Sequence, residues 1–392
     1  MRRVVVTGLG AVSPFGAGVK AYWAGLAAGA CAIRPLTVLD SAGFRCRIAA
    51  EVPDFADGSP RRSRADRLAL AAATEALDDA ALDRRERAEA GLVVGAVGGG
   101  MLEAEGWYWA RARGERSPRW ATTLRGILPG SHAEALGRRL RLGGPRHTVV
   151  TACSSGAVAL AEAAELIADG VIDTAVAGGV DALTRLCFMG FNALKLLDPE
   201  PCRPFDRDRR GMSIGEGAAF VVLEAAERAR ARGARAYAEL AGHGMTTDAY
   251  HVTAPEPEGE GMARAMRAAL VAGRVTPAGV GYANAHGTAT PQNDRIEARA
   301  IGRVFGDAGI LVSSTKSMIG HTMAAAGSLE AVATILALGH ETIPPTANLV
   351  TPDPEVGFDC VPHVPRAAVV EHAISNSFGF GGQNITLLFR RV

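Results

Sequence analysis

Along this chain, short apolar runs alternate with longer stretches in which alanine, leucine and charged residues recur at helical spacing. Apolar runs at 4–6, 92–95, 148–150, 174–177, 218–223, 236–241, 280–285, 311–314, 374–376 and 385–389 are mostly bounded by glycine or polar residues. Such runs, lacking clean alternation, read as strands buried on both faces. Between them, 59–82, 154–167, 225–235, 261–272 and 328–338 carry the spacing of helices with an apolar stripe. Strands alternating with amphipathic helices predict an α/β fold whose sheets are covered on both sides. From residue 236 the succession starts again, which suggests a duplicated core.

One early stretch mimics a nucleotide fingerprint: Gly8-Leu9-Gly10-Ala11-Val12-Ser13 after Val4-Val5-Val6. The third glycine is replaced by Ser13 and no acidic residue follows at the right distance, so a buried strand entering a glycine turn is the better reading. A net charge of +1 over 392 residues gives no general electrostatic case for nucleic acid or membrane. No apolar run reaches the roughly 20 residues of a membrane helix and no signal peptide opens the chain, so a soluble, cytoplasmic protein is expected. The six cysteines form no CxxC pair, which argues against zinc or a disulfide framework. Arg61, Arg62, Arg64 and Arg67 make a basic helix entry, read as a solvated face or a dock for an acidic partner. Trp107, Tyr108, Trp109 and Trp120 lie among arginines and read as buried or interface aromatics.

Chemistry enters at residues 148–167, where an apolar run, small residues and an alanine-rich segment predict strand, turn and helix with Cys153 at the turn. A thiol at a helix N-terminus feels the positive end of the dipole, so its pKa is expected to fall. On this stretch alone, a nucleophile and a buried structural cysteine are equally good readings. Three predicted strand ends in the second half carry polar clusters: Asn284–Pro291 with His286, Ser313–His321 with Lys316 and His321, and Asn376–Gly382 with Phe378 and Phe380. Loops at strand ends are where α/β folds place chemistry. One thiolate can hold an acyl thioester, and two imidazole N–H donors can polarise a second thioester carbonyl. That combination suits Claisen condensation.

These motifs, in this order, resemble the β-ketoacyl-acyl carrier protein synthases of the elongating type: the cysteine motif at 151–156, His-Gly-Thr-Ala-Thr-Pro at 286–291, Lys316 to His321, and 378–382. Arg203–Asp206 and 248–251 also match, and the likeness covers essentially the whole chain. It implies an α/β, thiolase-like fold of two similar halves in five αβαβα layers, acting as a dimer. Residues 1–238 would carry Cys153, and 239–392 both histidines and Lys316. It further implies that Cys153 takes the acyl chain and that its amide and that of Phe380 form an oxyanion hole. His286 and His321 would bind the malonyl carbonyl, with Lys316 orienting and tuning them. Thr288 and Thr290 would meet the phosphopantetheine arm, with Phe378, Phe380 and Gly381 around the substrate and Phe380 as gate. Glu330 is expected as a buried structural acid near the lysine loop, in a place suited to a monovalent cation, and His251 in a non-essential position. No resident metal or cofactor is implied, since phosphopantetheine arrives on the acyl carrier protein.

That acidic partner would dock on Arg61, Arg62, Arg64 and Arg203. Gln383 and Asn293 depart from the housekeeping pattern, which has threonine and glycine there, and with 344–348 they resemble synthases of polyketide or aryl-polyene pathways. A chain-length-factor-like subunit is then a possible second partner. A thiolase-like or initiating synthase, and a non-catalytic partner subunit, are the rival readings. His321 argues against the initiating branch, which has asparagine there, and Cys153 against the inactive partner.

Overall fold

The computed structural model describes residues 2–53, 55, 62–115, 124–306 and 308–392. Two sets of five strands repeat one topology. The first comprises β1 (Val4–Ser13), helix α1 (Arg64–Asp79), β2 (Gly91–Ala96), α2 (Gly130–Leu140), β3 (Arg146–Val149), α3 (Ser155–Ala168), β4 (Thr174–Asp181) and β5 (Gly217–Ala225). The second comprises β6 (Ala238–Thr247), α4 (Glu260–Gly273), β7 (Val280–Asn284), α5 (Pro291–Phe305), β8 (Leu311–Ser313), α6 (Ala326–His340), β9 (His372–Gly379) and β10 (Gln383–Arg390). Strand order is β3-β2-β4-β5-β1 in one and β8-β7-β9-β10-β6 in the other. The strand senses also correspond: β2 pairs β3 and β4 in parallel, β7 pairs β8 and β9 in parallel, and the remaining neighbours are antiparallel. A short antiparallel contact, Val5 with Glu239 and Val6 with Ala238, joins the two sheets along β1 and β6.

The helices explain the layers. α1 and α2 pack an apolar stripe (Leu68, Ala72, Leu77, Leu136) on the outer face of the first sheet. α4 and α5 do the same on the second, through Met266, Leu270, Ile301 and Val304. α3 and α6 lie between the sheets and are buried nearly all round, as a central layer requires. The segment Met323–His340 is apolar and long enough to cross a membrane by length and composition, but 89% of it is buried inside the protein. It is the core helix of the second half.

The sequence reading placed a glycine turn after Val6. Instead, β1 continues unbroken to Ser13 with one bulge between Val6 and Gly8. The glycines serve close approach: a Cβ on Gly8 would stand 2.2 Å from the Ala76 carbonyl oxygen, and one on Gly10 1.9 Å from that of Ala72. Similar crowding brings the central helices together. A Cβ on Gly327 would meet Ala157 at 2.8 Å, and one on Gly156 would meet the Ala324 carbonyl at 2.6 Å. That proximity sets the start of α3 beside the loop preceding α6, and the site lies there.

Replacing Gly10 by alanine drives its methyl into the α1 backbone, so unfolding by urea should show a loss of about 2 kcal/mol or more, the usual scale of overpacking. A loss within ~0.5 kcal/mol, the scale of a surface change, would mean that the helix does not need this approach.

Candidate active site

The nucleophile turn follows from its small residues. β3 leads into a one-turn 3-10 segment, Ala152–Ser154, and then into α3. Ala152 adopts φ 50°, a strained left-handed conformation for a residue with a Cβ. The hydroxyls of Ser154 and Ser155 secure it by donating to the Thr151 and Ala152 carbonyls, each at 2.7 Å. Across from it, a Cβ on Gly379, the last residue of β9, would lie 3.1 Å from the Thr151 carbonyl oxygen and 3.3 Å from the Cys153 nitrogen, so glycine eases the close approach of that strand end to the cysteine. The Phe380 N–H faces the Cys153 thiol and favours its thiolate.

One expectation is overturned here. Burial pushes the Cys153 thiol up to about 11, against the pull of the Lys316 ammonium and the Phe380 N–H. Desolvation outweighs both, which favours the protonated thiol at neutral pH.

His286 follows β7 and is fixed from its backbone: Glu297 on α5 accepts the His286 and Gly287 amides at 2.8 Å each. Its Nδ1 lies 3.3 Å from the Lys316 ammonium, which can only donate, so the ring proton sits on Nε2. His321 is held by its amide to the Ser213 carbonyl at 2.7 Å. Its Nδ1 accepts the Met323 amide at 3.2 Å, which again places the proton on Nε2. The two rings stand edge to face, 5.4 Å apart. Burial, then the Lys316 charge, holds both imidazoles well below their ordinary pKa. Both are neutral at pH 7, and each has one N–H to offer. The His321 Nε2 has no partner among the described residues.

Behind them lies a buried ion pair between Lys316 and Glu330, each 1% exposed. Burial raises the Glu330 carboxyl and the lysine opposes it. Among the described residues the other Glu330 oxygen has no partner, nor does either polar side-chain atom of Asn284 on β7 or the hydroxyl of Ser375, its register partner on β9. These hard oxygen donors fit a monovalent cation better than a softer transition metal.

Cys153, His286, His321, Thr288, Thr290, Phe378 and Phe380 all line one cavity of about 300 Å³. Phe380 packs against Phe191 at 5.9 Å between ring centroids. Gly381 stands outside this lining: with φ 84° it turns the chain, and its amide donates to the Val252 carbonyl. Lys316 also lies off the cavity, reaching it only through His286. His251 is exposed, with its Nδ1 accepting the Thr253 and Ala254 amides.

The arginines divide. Arg64 is removed from the docking patch, because its guanidinium turns inward onto Glu216 and the Val52 carbonyl. Arg203 pairs with Glu200 at 3.0 Å, Arg62 is half-buried, and Arg61 lies outside the described residues. Trp120 does too, while Tyr108 and Trp109 are exposed on the helix Met101–Ala112.

Sequence reasoning missed the acids that hold the loops. Glu297 is fully buried and burial raises it to about 7. Asp294, one turn earlier, accepts the Ala289 amide at 3.1 Å and the Phe205 amide at 2.8 Å. The available signal was two carboxylates three residues apart on the same helix face as Ile301 and Val304. A buried acid on an apolar face needs a partner.

Comparison with known proteins shows the family. The family model for the β-ketoacyl synthase N-terminal domain matches residues 1–229, and that for the C-terminal domain matches 237–350. The chain belongs to the β-ketoacyl synthase family, which makes it a condensing acyltransferase. It is 43% identical over 424 residues to a 3-oxoacyl-[acyl-carrier-protein] synthase 2 of Rhizobium meliloti, covering 100% of this chain and 99% of that one. A synthase of the same name from Synechocystis is 41% identical, covering 100% and 98%. Among solved structures, the ishigamide ketosynthase/chain length factor superposes with TM-score 0.95 at 39% identity, covering 100% and 99%. A type II PKS acyl-carrier protein in complex with its ketosynthase bound to the hexaketide gives 0.91 at 32% identity, covering 100% of both chains.

A thiol resting near 11 should be alkylated by iodoacetamide about tenfold faster for each pH unit from about 7 to 10, as the thiolate fraction grows. The adduct on Cys153 is followed by mass spectrometry. A rate already flat above about pH 8 would contradict the desolvated thiol.

Proposed function

We propose that this chain joins an acyl group held on Cys153 to the malonyl unit of malonyl-acyl carrier protein, releasing CO2 and β-ketoacyl-acyl carrier protein, in fatty acid-like elongation. The observation that carries this reading is the convergence of one thiol and two neutral Nε2–H imidazoles on a single cavity. In the first step the Cys153 sulfur bonds the acyl carbonyl and the carbon–sulfur bond to the carrier breaks. The thiol proton passes to the leaving pantetheine sulfur. The amides of Cys153 and Phe380 face the tetrahedral oxyanion.

In the second step the malonyl thioester oxygen takes the N–H groups of His286 and His321. The bond to the carboxylate breaks, CO2 leaves, and the electron pair is held as an enolate between the two imidazoles. The enolate carbon attacks the Cys153 thioester, its carbon–sulfur bond breaks, and the departing cysteine thiolate takes a proton from solvent. Lys316 acts through His286, fixing its tautomer. With burial, its charge also keeps both rings from becoming cations, which would hold the enolate too tightly to react. Thr288 and Thr290, 3.0 Å apart at the α5 end of the cavity, suit the amides of the phosphopantetheine arm. Phe380 would gate the cavity against Phe191, with Phe378 beside His286. No resident metal is needed for the reaction and no cofactor beyond the one the carrier brings. The monovalent cation fitting Glu330 would be structural.

A second reading concerns the pathway. Asn293, in place of the housekeeping glycine, donates toward Asp294 and Glu297 and so reinforces the His286 loop. With Gln383 and the likeness to the ishigamide ketosynthase/chain length factor, it supports a type II polyketide or aryl-polyene ketosynthase paired with a chain-length-factor-like subunit. The open edge of β3 suits a second subunit, identical or not, because an unpaired strand edge invites another chain. We place the enzyme in the cytoplasm, and divide its two halves at residues 238/239.

With Cys153→Gln, condensation should disappear while malonyl-acyl carrier protein is still decarboxylated, measured as released CO2. Loss of neither activity would refute the mechanism. For docking, Arg62→Glu with Arg203→Glu should raise KM for acyl carrier protein substrates about tenfold and leave a small acyl thioester unaffected. Equal loss with both substrates would remove these arginines from the docking site.

A further inference from the structure

Among the contacts that tie the two halves together at the site is a side chain that the reaction itself does not touch. Asp181 ends β4 and is 1% exposed. Its Oδ1 accepts the Gly98 amide at 2.7 Å and, more weakly, the Val97 amide at 3.4 Å. Its Oδ2 accepts the Ala324 amide at 2.8 Å. The first two amides open the glycine loop 98–100, which feeds the helix Met101–Ala112 of the first half. The third belongs to the 3-10 turn Met323–Ala325 of the second half. The adjacent amide, that of Met323, is the one that donates to His321 Nδ1. Met323 sits at φ 53°, a conformation that survives only where its surroundings enforce it. From the other side, a Cβ on Gly98 would lie 3.1 Å from Asp181 Oδ1, so glycine lets that loop close on the carboxylate.

We infer that Asp181 is a positioning residue for condensation: it holds the Met323–Ala324 turn so that His321 keeps Nδ1 occupied and its Nε2–H in the cavity. The same carboxylate makes the glycine loop of the first half part of that setting. A carboxylate is required because donors approach from two sides, and an amide side chain offers only one accepting atom. This inference rests on the reading of His321 as a donor to the malonyl carbonyl. A purely structural buried acid would affect stability and every partial reaction alike, whereas the tether acts selectively on the step that uses His321.

The test uses two variants that load the tether from opposite ends: Asp181→Asn, and Gly98→Ala, which keeps the carboxylate but crowds it. Each is measured for single-turnover acylation of Cys153 by acyl-acyl carrier protein and, combined with Cys153→Gln, for malonyl-acyl carrier protein decarboxylation. We expect decarboxylation to fall about ten- to a hundredfold, the usual cost of a misplaced catalytic group, with acylation changed less than about threefold. In parallel, 15N-histidine NMR of each variant, with the signal assigned by His321→Asn, should show His321 passing from one tautomer to a mixture. Equal loss of both partial reactions, or an unchanged His321 tautomer in both variants, would overturn the tether. Should Asp181→Asn fail to fold, Gly98→Ala decides alone. A Cys153→Gln parent with no decarboxylation would refute the functional reading, and the NMR result would still decide whether Asp181 sets the tautomer.

Discussion

The site depends on a cation buried under two imidazoles. The Lys316 ammonium cannot stand alone in that interior, and Glu330 neutralises it from behind. From the front it donates to His286 Nδ1, which assigns the tautomer, and its field adds to burial in keeping both His286 and His321 neutral. The same charge pulls the Cys153 thiol down from where burial would otherwise leave it. Removing Lys316 would thus alter three functional groups and leave a carboxylate unpaired. Removing one partner of a buried pair typically costs about 3–5 kcal/mol, because the charge left behind is buried and uncompensated.

Around that cation the fold repeats one device. A buried carboxylate accepts backbone amides from a loop and so fixes a side chain whose chemistry it does not share: Glu297 for His286 and Asp181 for the turn after His321. Carboxylates suit this task because each can accept several N–H groups at once. The cost is desolvation, seen in Glu297 raised to about 7 and Asp181 to about 6. A raised carboxyl pKa means that the folded protein holds protons the unfolded chain has released. These two groups therefore withdraw stability as pH rises from about 4 to 7, and the fold accepts that loss to seat the imidazoles.

Much of this was legible in the chain. Apolar runs and alanine-rich stripes gave most of the ten strands and the central helices, and the polar clusters at strand ends named His286, Lys316, His321 and Phe380 together. What escaped had physical causes. Gly8 and Gly10 looked like a turn because the sequence does not show that α1 crosses them at contact distance. α2 and α5 were not read as helices, since their apolar residues are interleaved with several charges. Glu297, Asp294 and Asp181 act on backbone amides far along the chain or across a loop, and no side-chain pattern announces such partners. Arg64 looked like surface until Glu216 was found facing it. The reactivity of Cys153 was misjudged because a helix terminus is visible in sequence and desolvation is not.

The central claim, that the two imidazoles receive the malonyl carbonyl through their Nε2 protons, is tested most directly by a crystal structure with a malonyl thioester analogue that cannot lose CO2. The account expects the analogue's thioester oxygen at about 3 Å from Nε2 of both His286 and His321, with its carboxylate elsewhere. A carboxylate bound between the two rings, or a thioester oxygen held by the Cys153 and Phe380 amides instead, would contradict it.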